Sequence, residues 1–73
     1  MGRLRVLSGA DVCRILSDQG FTEVRRRGSH VVMQKGTPDR TVTVPVPTHA
    51  ELRRGTLASV VHQSGLPRSL FEE

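Results

Sequence analysis

The chain has 73 residues, 36% of them apolar, with two Phe and no Trp or Tyr. That length holds one small core and leaves no room for a separate substrate domain, and no apolar run approaches the roughly 20 residues of a membrane span. Eleven Lys and Arg against seven Asp and Glu give a net charge of +4, and ten of those eleven are Arg, which forks a phosphate through two hydrogen bonds and so points to a polyanion or an acidic protein partner.

Leu4 to Leu7 is a short apolar lead-in. Ser8 then reads as a helix N-cap, with Asp11 three residues later in capping-box position. Val12, Ile15 and Leu16 recur at helical spacing, and Gly20 suits the residue just past a helix end, so the first helix is expected over about 9–19, with Phe21 closing the core. Cys13 falls inside that pattern as a structural residue; being the sole cysteine, it forms no internal disulfide.

From Phe21 the period changes to two. Thr22, Val24 and Arg26 fall on one face, and Glu23, Arg25 and Arg27 on the other. Gly28 permits a tight turn. Beyond it Ser29, Val31 and Met33 share one face, while His30, Val32 and Gln34 share the other. Residues Gly36 to Asp39 have turn composition, and Thr41 to Val46 form a third strand, with Pro45 near its end or edge. Val24, Val31, Met33, Val42 and Val44 are the expected inner face. His30 then lies outside, near Arg25 and Arg27, unless a bulge at Gly28 reverses the register.

A connector from Pro47 to Leu52 leads to a second helix. Thr56 is the expected N-cap, Leu57, Val60 and Val61 the buried stripe, and Gly65 and Pro67 the stop. Ser69-Leu70-Phe71 is expected to tuck Phe71 against the core. The order α-β-β-β-α predicts an α+β fold in one domain, 1–73: a three-stranded antiparallel sheet with two helices packed on one face. That is the layout of double-stranded-RNA-binding-like domains.

The chemistry centres on Arg25-Arg26-Arg27-Gly28-Ser29-His30. Histidine exchanges protons near neutral pH. Cleavage of RNA by its own 2′-hydroxyl needs a base for that hydroxyl, an acid for the leaving oxygen and positive charge on the phosphate. His30 is the candidate for proton transfer. Arg25, Arg26, Arg27 and Ser29 are candidates for holding RNA. Arg53 and Arg54, just before the second helix and its backbone N–H groups, make a further candidate phosphate site. His49 and His62 read as incidental. Cys13 and the histidines lack metal-ligand spacing, and the carboxylates are scattered, so no metal or cofactor is expected. Without Tyr or Trp there is no stacking platform, which argues against sequence-specific reading of single strands.

Several short motifs, in order, resemble the HicA toxin family. They are Leu7-Ser8-Gly9, Gly20-Phe21, Arg27-Gly28-Ser29-His30, Thr43-Val44-Pro45-Val46-Pro47, Glu51-Leu52, Arg54-Gly55-Thr56-Leu57 and Gln63-Ser64-Gly65-Leu66. The resemblance runs from about Leu4 to Phe71. It implies a double-stranded-RNA-binding-like fold and an mRNA interferase, the toxin of a type II toxin–antitoxin system, acting without a cofactor; the lone Cys13 and first residues too short for a signal-peptide core separately lead to the expectation of a cytoplasmic protein. It implies that the Gly-Ser-His histidine, here His30, is catalytic. It also implies that a cognate HicB-type antitoxin covers the active face. Many members carry a second His where this chain has Val31, and others pair Gln with Ala where it has Gln63-Ser64. Two other readings compete: a non-catalytic double-stranded-RNA-binding module, and an antitoxin-docking subunit without activity.

Overall fold

A computed structural model describes residues 2–73. The elements are α1 (Gly9–Asp18), β1 (Thr22–Arg27), β2 (His30–Gly36), β3 (Thr41–Pro47), α2 (Arg54–Ser64) and a short 3-10 helix (Arg68–Phe71). The strands form one antiparallel meander in the order β1-β2-β3. Both helices bury their apolar stripes with the inner face of that sheet in a single cluster that includes Val12, Leu16, Val31, Met33, Val44, Val46, Leu57 and Val60. This is the α-β-β-β-α layout that the alternation of periods predicts.

α1 starts as its capping box dictates. The Ser8 hydroxyl oxygen accepts from the Asp11 N–H at 3.0 Å, and the Ser8 N–H donates to Asp11 Oδ2 at 3.0 Å. The helix ends at Gln19, and Gly20 follows at φ +96°, a conformation open to glycine and strained for other residues. Gly9 is required for a different reason: a Cβ there would overlap the Pro47 carbonyl oxygen. The first turn of α1 therefore lies directly on the end of β3, held by a hydrogen bond from the Gly9 N–H to the His49 carbonyl at 2.9 Å.

Two expectations about β1 are corrected. Val24 does not join the core; it is 48% exposed. The ladder pairs Glu23 with Met33 and Arg25 with Val32, so Val24 is the extra residue of a β-bulge. Upstream of the bulge the faces are exchanged. Thr22 pairs with Gln34 on the outer side, and Glu23, opposite Met33, lies on the inner side with Arg26. Val32, expected on the open face, does lie there between Arg25 and Pro45, its partners on either strand, yet it is buried.

α2 begins three residues earlier than an N-cap at Thr56 would place it. Its N-cap is Arg53, which makes no side-chain capping bond. Leu57, Val60 and Val61 are buried as expected, and Gly65 closes the helix at φ +71°. The buried Ser64 hydroxyl donates to the Val61 carbonyl and accepts from the Leu66 N–H, satisfying polar groups at this end. Phe71 is fully buried, and the ends of the chain meet where Leu4 bridges Glu72.

Candidate active site

Arg27 and His30 face each other across a two-residue hairpin. They form the last pair of the β1-β2 ladder, with Gly28 and Ser29 between them. Gly28 has φ +55° and Ser29 has no positive φ, the sign pattern of a type II′ turn with glycine first. Gly28 is thus a turn residue, and the register that follows is undisturbed. Arg25 pairs with Val32, one step further along the same face. Directly opposed residues in a sheet lie close enough to act together. The outer face therefore carries Arg25, Arg27 and His30 in one patch, all exposed.

The turn is fixed from β3. The Thr48 N–H and hydroxyl both donate to the Ser29 carbonyl, at 2.8 and 3.1 Å. On its other side His30 pairs with Pro47. It lines a groove of about 400 Å³ together with Pro45, Pro47, Gly55, Thr56, Ser59, Val60 and Gln63. α2 runs beside β3 so that its buried stripe enters the core while Thr56, Ser59 and Gln63 edge the outer face. Among the described residues no carboxylate lines this groove.

The remaining candidates divide. Arg26 pairs with Val31 on the inner side and lines a separate cavity with Ser8, Gly9, Ala10, Thr48 and His49. It forms a 3.7 Å ion pair with Glu23, both side chains about half exposed, a type of contact worth little. Ser29 contributes its carbonyl to the turn. Arg53 caps α2 with its backbone. Arg54 lines another cavity, with Leu4, Arg5, Glu51 and Leu57, away from His30. The start of α2 does reach the His30 groove, through Gly55 and Thr56. The Arg54 side chain and the backbone at the start of α2 thus line different cavities. His49 serves through its carbonyl, and His62 is exposed at the last turn of α2. Cys13 packs against the core, and burial, with Glu23 nearby, pushes its thiol up, away from the reactive thiolate.

Ser59 and Gln63 were not singled out as groove residues by sequence reasoning. Gly55, Thr56, Ser59 and Gln63 follow one another at steps of one, three and four, so they share one stripe of α2. That stripe is polar and sits beside the buried one, and only packing against β3 determines which strand residues it meets.

The family model described as HicA toxin of bacterial toxin-antitoxin matches residues 9–66, from the first turn of α1 to just beyond α2. The chain belongs to the HicA toxin family. Comparison with curated proteins finds no match. As a toxin of a toxin–antitoxin system it implies a partner antitoxin. Among the described residues of this toxin no helix is long and apolar enough to cross a membrane.

Proposed function

We propose that this toxin is an endoribonuclease that cuts mRNA by metal-independent transesterification at the outer face of its sheet. The observation that carries the reading is the cross-strand pairing of Arg27 with His30, with Arg25 on the same face. The His30 imidazole takes the proton of a ribose 2′-hydroxyl. The freed oxygen attacks the adjacent phosphorus, and Arg25 and Arg27 stabilise the negative charge gathering on its non-bridging oxygens. The 5′-oxygen leaves and takes a proton from water, the hydroxide so formed takes back the proton held by His30, and the products are a 2′,3′-cyclic phosphate and a 5′-hydroxyl. The lack of a carboxylate in the groove supports a route without a two-metal clamp. A HicB-type antitoxin, presenting acidic groups to the same arginines, silences the site by covering it in the cytoplasm.

The test compares wild type and His30→Ala, both shown to be folded, on a defined mRNA in chelator. Wild type is expected to cut and leave cyclic phosphate ends, and the variant to be silent. Equal cutting by both would remove His30 from the reaction. Salt-sensitive binding without cutting by either would favour the non-catalytic module.

A further inference from the structure

The reaction above uses one wall of the His30 groove and leaves the other without a role. That second wall is neutral and polar: Thr56, Ser59 and Gln63 stand along α2, and His30 is the sole ionisable side chain among the lining residues. A second phosphate would find no cation there. The floor is Pro45, Pro47 and Val60, rigid and apolar, with Pro45 exposed. We infer that this groove is a base pocket: it takes the unpaired nucleobase next to the scissile phosphate, with Gln63 and Ser59 bonding its polar edge and the exposed Pro45, backed by the buried Pro47, supporting its flat face. The inference rests on the reading of this site as RNA-cleaving and names its substrate contact.

Geometry and chemistry support that occupant. The groove shares His30 with the phosphate patch, so a nucleotide whose phosphate meets His30 and Arg27 brings its own or its neighbour's base to the groove. Its volume of about 400 Å³ lies at the small end of the roughly 300–1,000 Å³ range of ligand sites. Gln63 Nε2 donates to Ser59 Oγ at 3.0 Å, one helical turn away. That bond holds the carboxamide along the groove. It leaves the amide oxygen, the second N–H and the Ser59 hydroxyl proton for a ligand. A carboxamide offers a donor and an acceptor side by side, the pattern that base edges present. The chain's lack of Tyr and Trp suggested no base reading. The structure offers a different support, the exposed Pro45 of β3 beside a polar helix edge.

The experiment has two arms. In the first, isotope-labelled wild type is titrated with each of the four nucleoside 5′-monophosphates and with ribose 5-phosphate, followed by NMR. At least one nucleotide is expected to shift the Gln63 side-chain amide and the backbone amides of Thr56 and Ser59, while ribose 5-phosphate leaves them in place. Gln63→Leu, at an exposed site where the fold is not at stake, is expected to weaken that nucleotide by about five- to tenfold, the worth of one or two hydrogen bonds, with ribose 5-phosphate unaffected. Equal shifts with ribose 5-phosphate, or unchanged nucleotide affinity in the variant, would overturn the base pocket. In the second arm, cleavage positions are mapped on one mRNA. Gln63→Leu is expected to keep cutting with a flattened base preference at the cut, and an unchanged preference would overturn the pocket. A wild type that cuts nothing sinks the ribonuclease reading alone, because the titration still decides whether the groove binds a base.

Discussion

Two hydrogen bonds from Thr48 hold the Ser29 carbonyl, immediately before the catalytic candidate, and the type II′ turn before that sets Arg27 against His30. The site is therefore positioned by backbone, and its side chains are left free for a substrate. This gives consecutive arginines different expected roles. Arg27 faces His30, whereas Arg26 points to the inner side near Glu23. Arg27→Ala is expected to slow RNA cleavage by about 10²–10³, the usual loss on removing one charge-stabilising donor, with little change in melting temperature. Arg26→Ala, which removes the same net charge, is expected to stay within a few-fold of wild type. Matched single-turnover rates of the two variants check this. Equal losses would mean that the triplet acts only through net charge and that facing does not matter.

At the scale of elements, α1 is held at both ends by local chemistry, and its start sits against the end of β3 that leads to Thr48. The Asp11 carboxyl is held below the ordinary carboxylate range, first by the backbone N–H of Ser8, then by the Ser8 hydroxyl, with Arg14 and Arg5 adding a smaller effect. A carboxylate depressed on folding stabilises the protein above its unfolded value and loses that contribution as pH falls through its folded value. The melting-temperature gap between wild type and Asp11→Asn should thus be constant above about pH 5 and close as pH falls below about 4. A gap that widens on acidification would contradict the capping role. This helix was legible in the sequence because Ser8, Asp11 and Gly20 act locally. The hairpin was legible for the same reason, through Gly28. The bulge at Val24 was not: Thr22 to Arg27 contains no Gly or Pro to mark it, and only pairing with β2 creates it. The start of α2 was misread because Arg53 caps it without a side-chain bond, leaving Thr56 as the sole visible signal. The groove was illegible because a polar helix edge acquires meaning from the strand beside it.

For the whole molecule, size and charge act together. A 73-residue chain must use both helices to cover one side of its sheet, so the other side stays open. The arginines that survive on that open side are aligned by the β1-β2 register. Open placement fits an inhibitor that is a separate protein: no described residue covers His30, and under the proposed function a partner that does so would meet the same positive patch as RNA. It also fixes how RNA binding should respond to salt. Two phosphate-contacting arginines, Arg25 and Arg27, would release counterions from a single strand with a slope of about −0.7 each, about −1.4 in all, for log affinity against log salt. Fluorescence anisotropy of the folded His30→Ala protein with a short unstructured RNA measures that slope without cleavage. Arg25→Ala is expected to reduce its magnitude by about 0.7, as one lost phosphate contact predicts, while Arg54→Ala, which lies beside Glu51 in a different cavity, should leave it unchanged. If Arg54→Ala lowers the slope as much as Arg25→Ala does, the RNA path must extend beyond the sheet face to the N-terminal segment. A slope near zero in wild type would mean that the face does not hold phosphate and that its arginines serve the antitoxin alone.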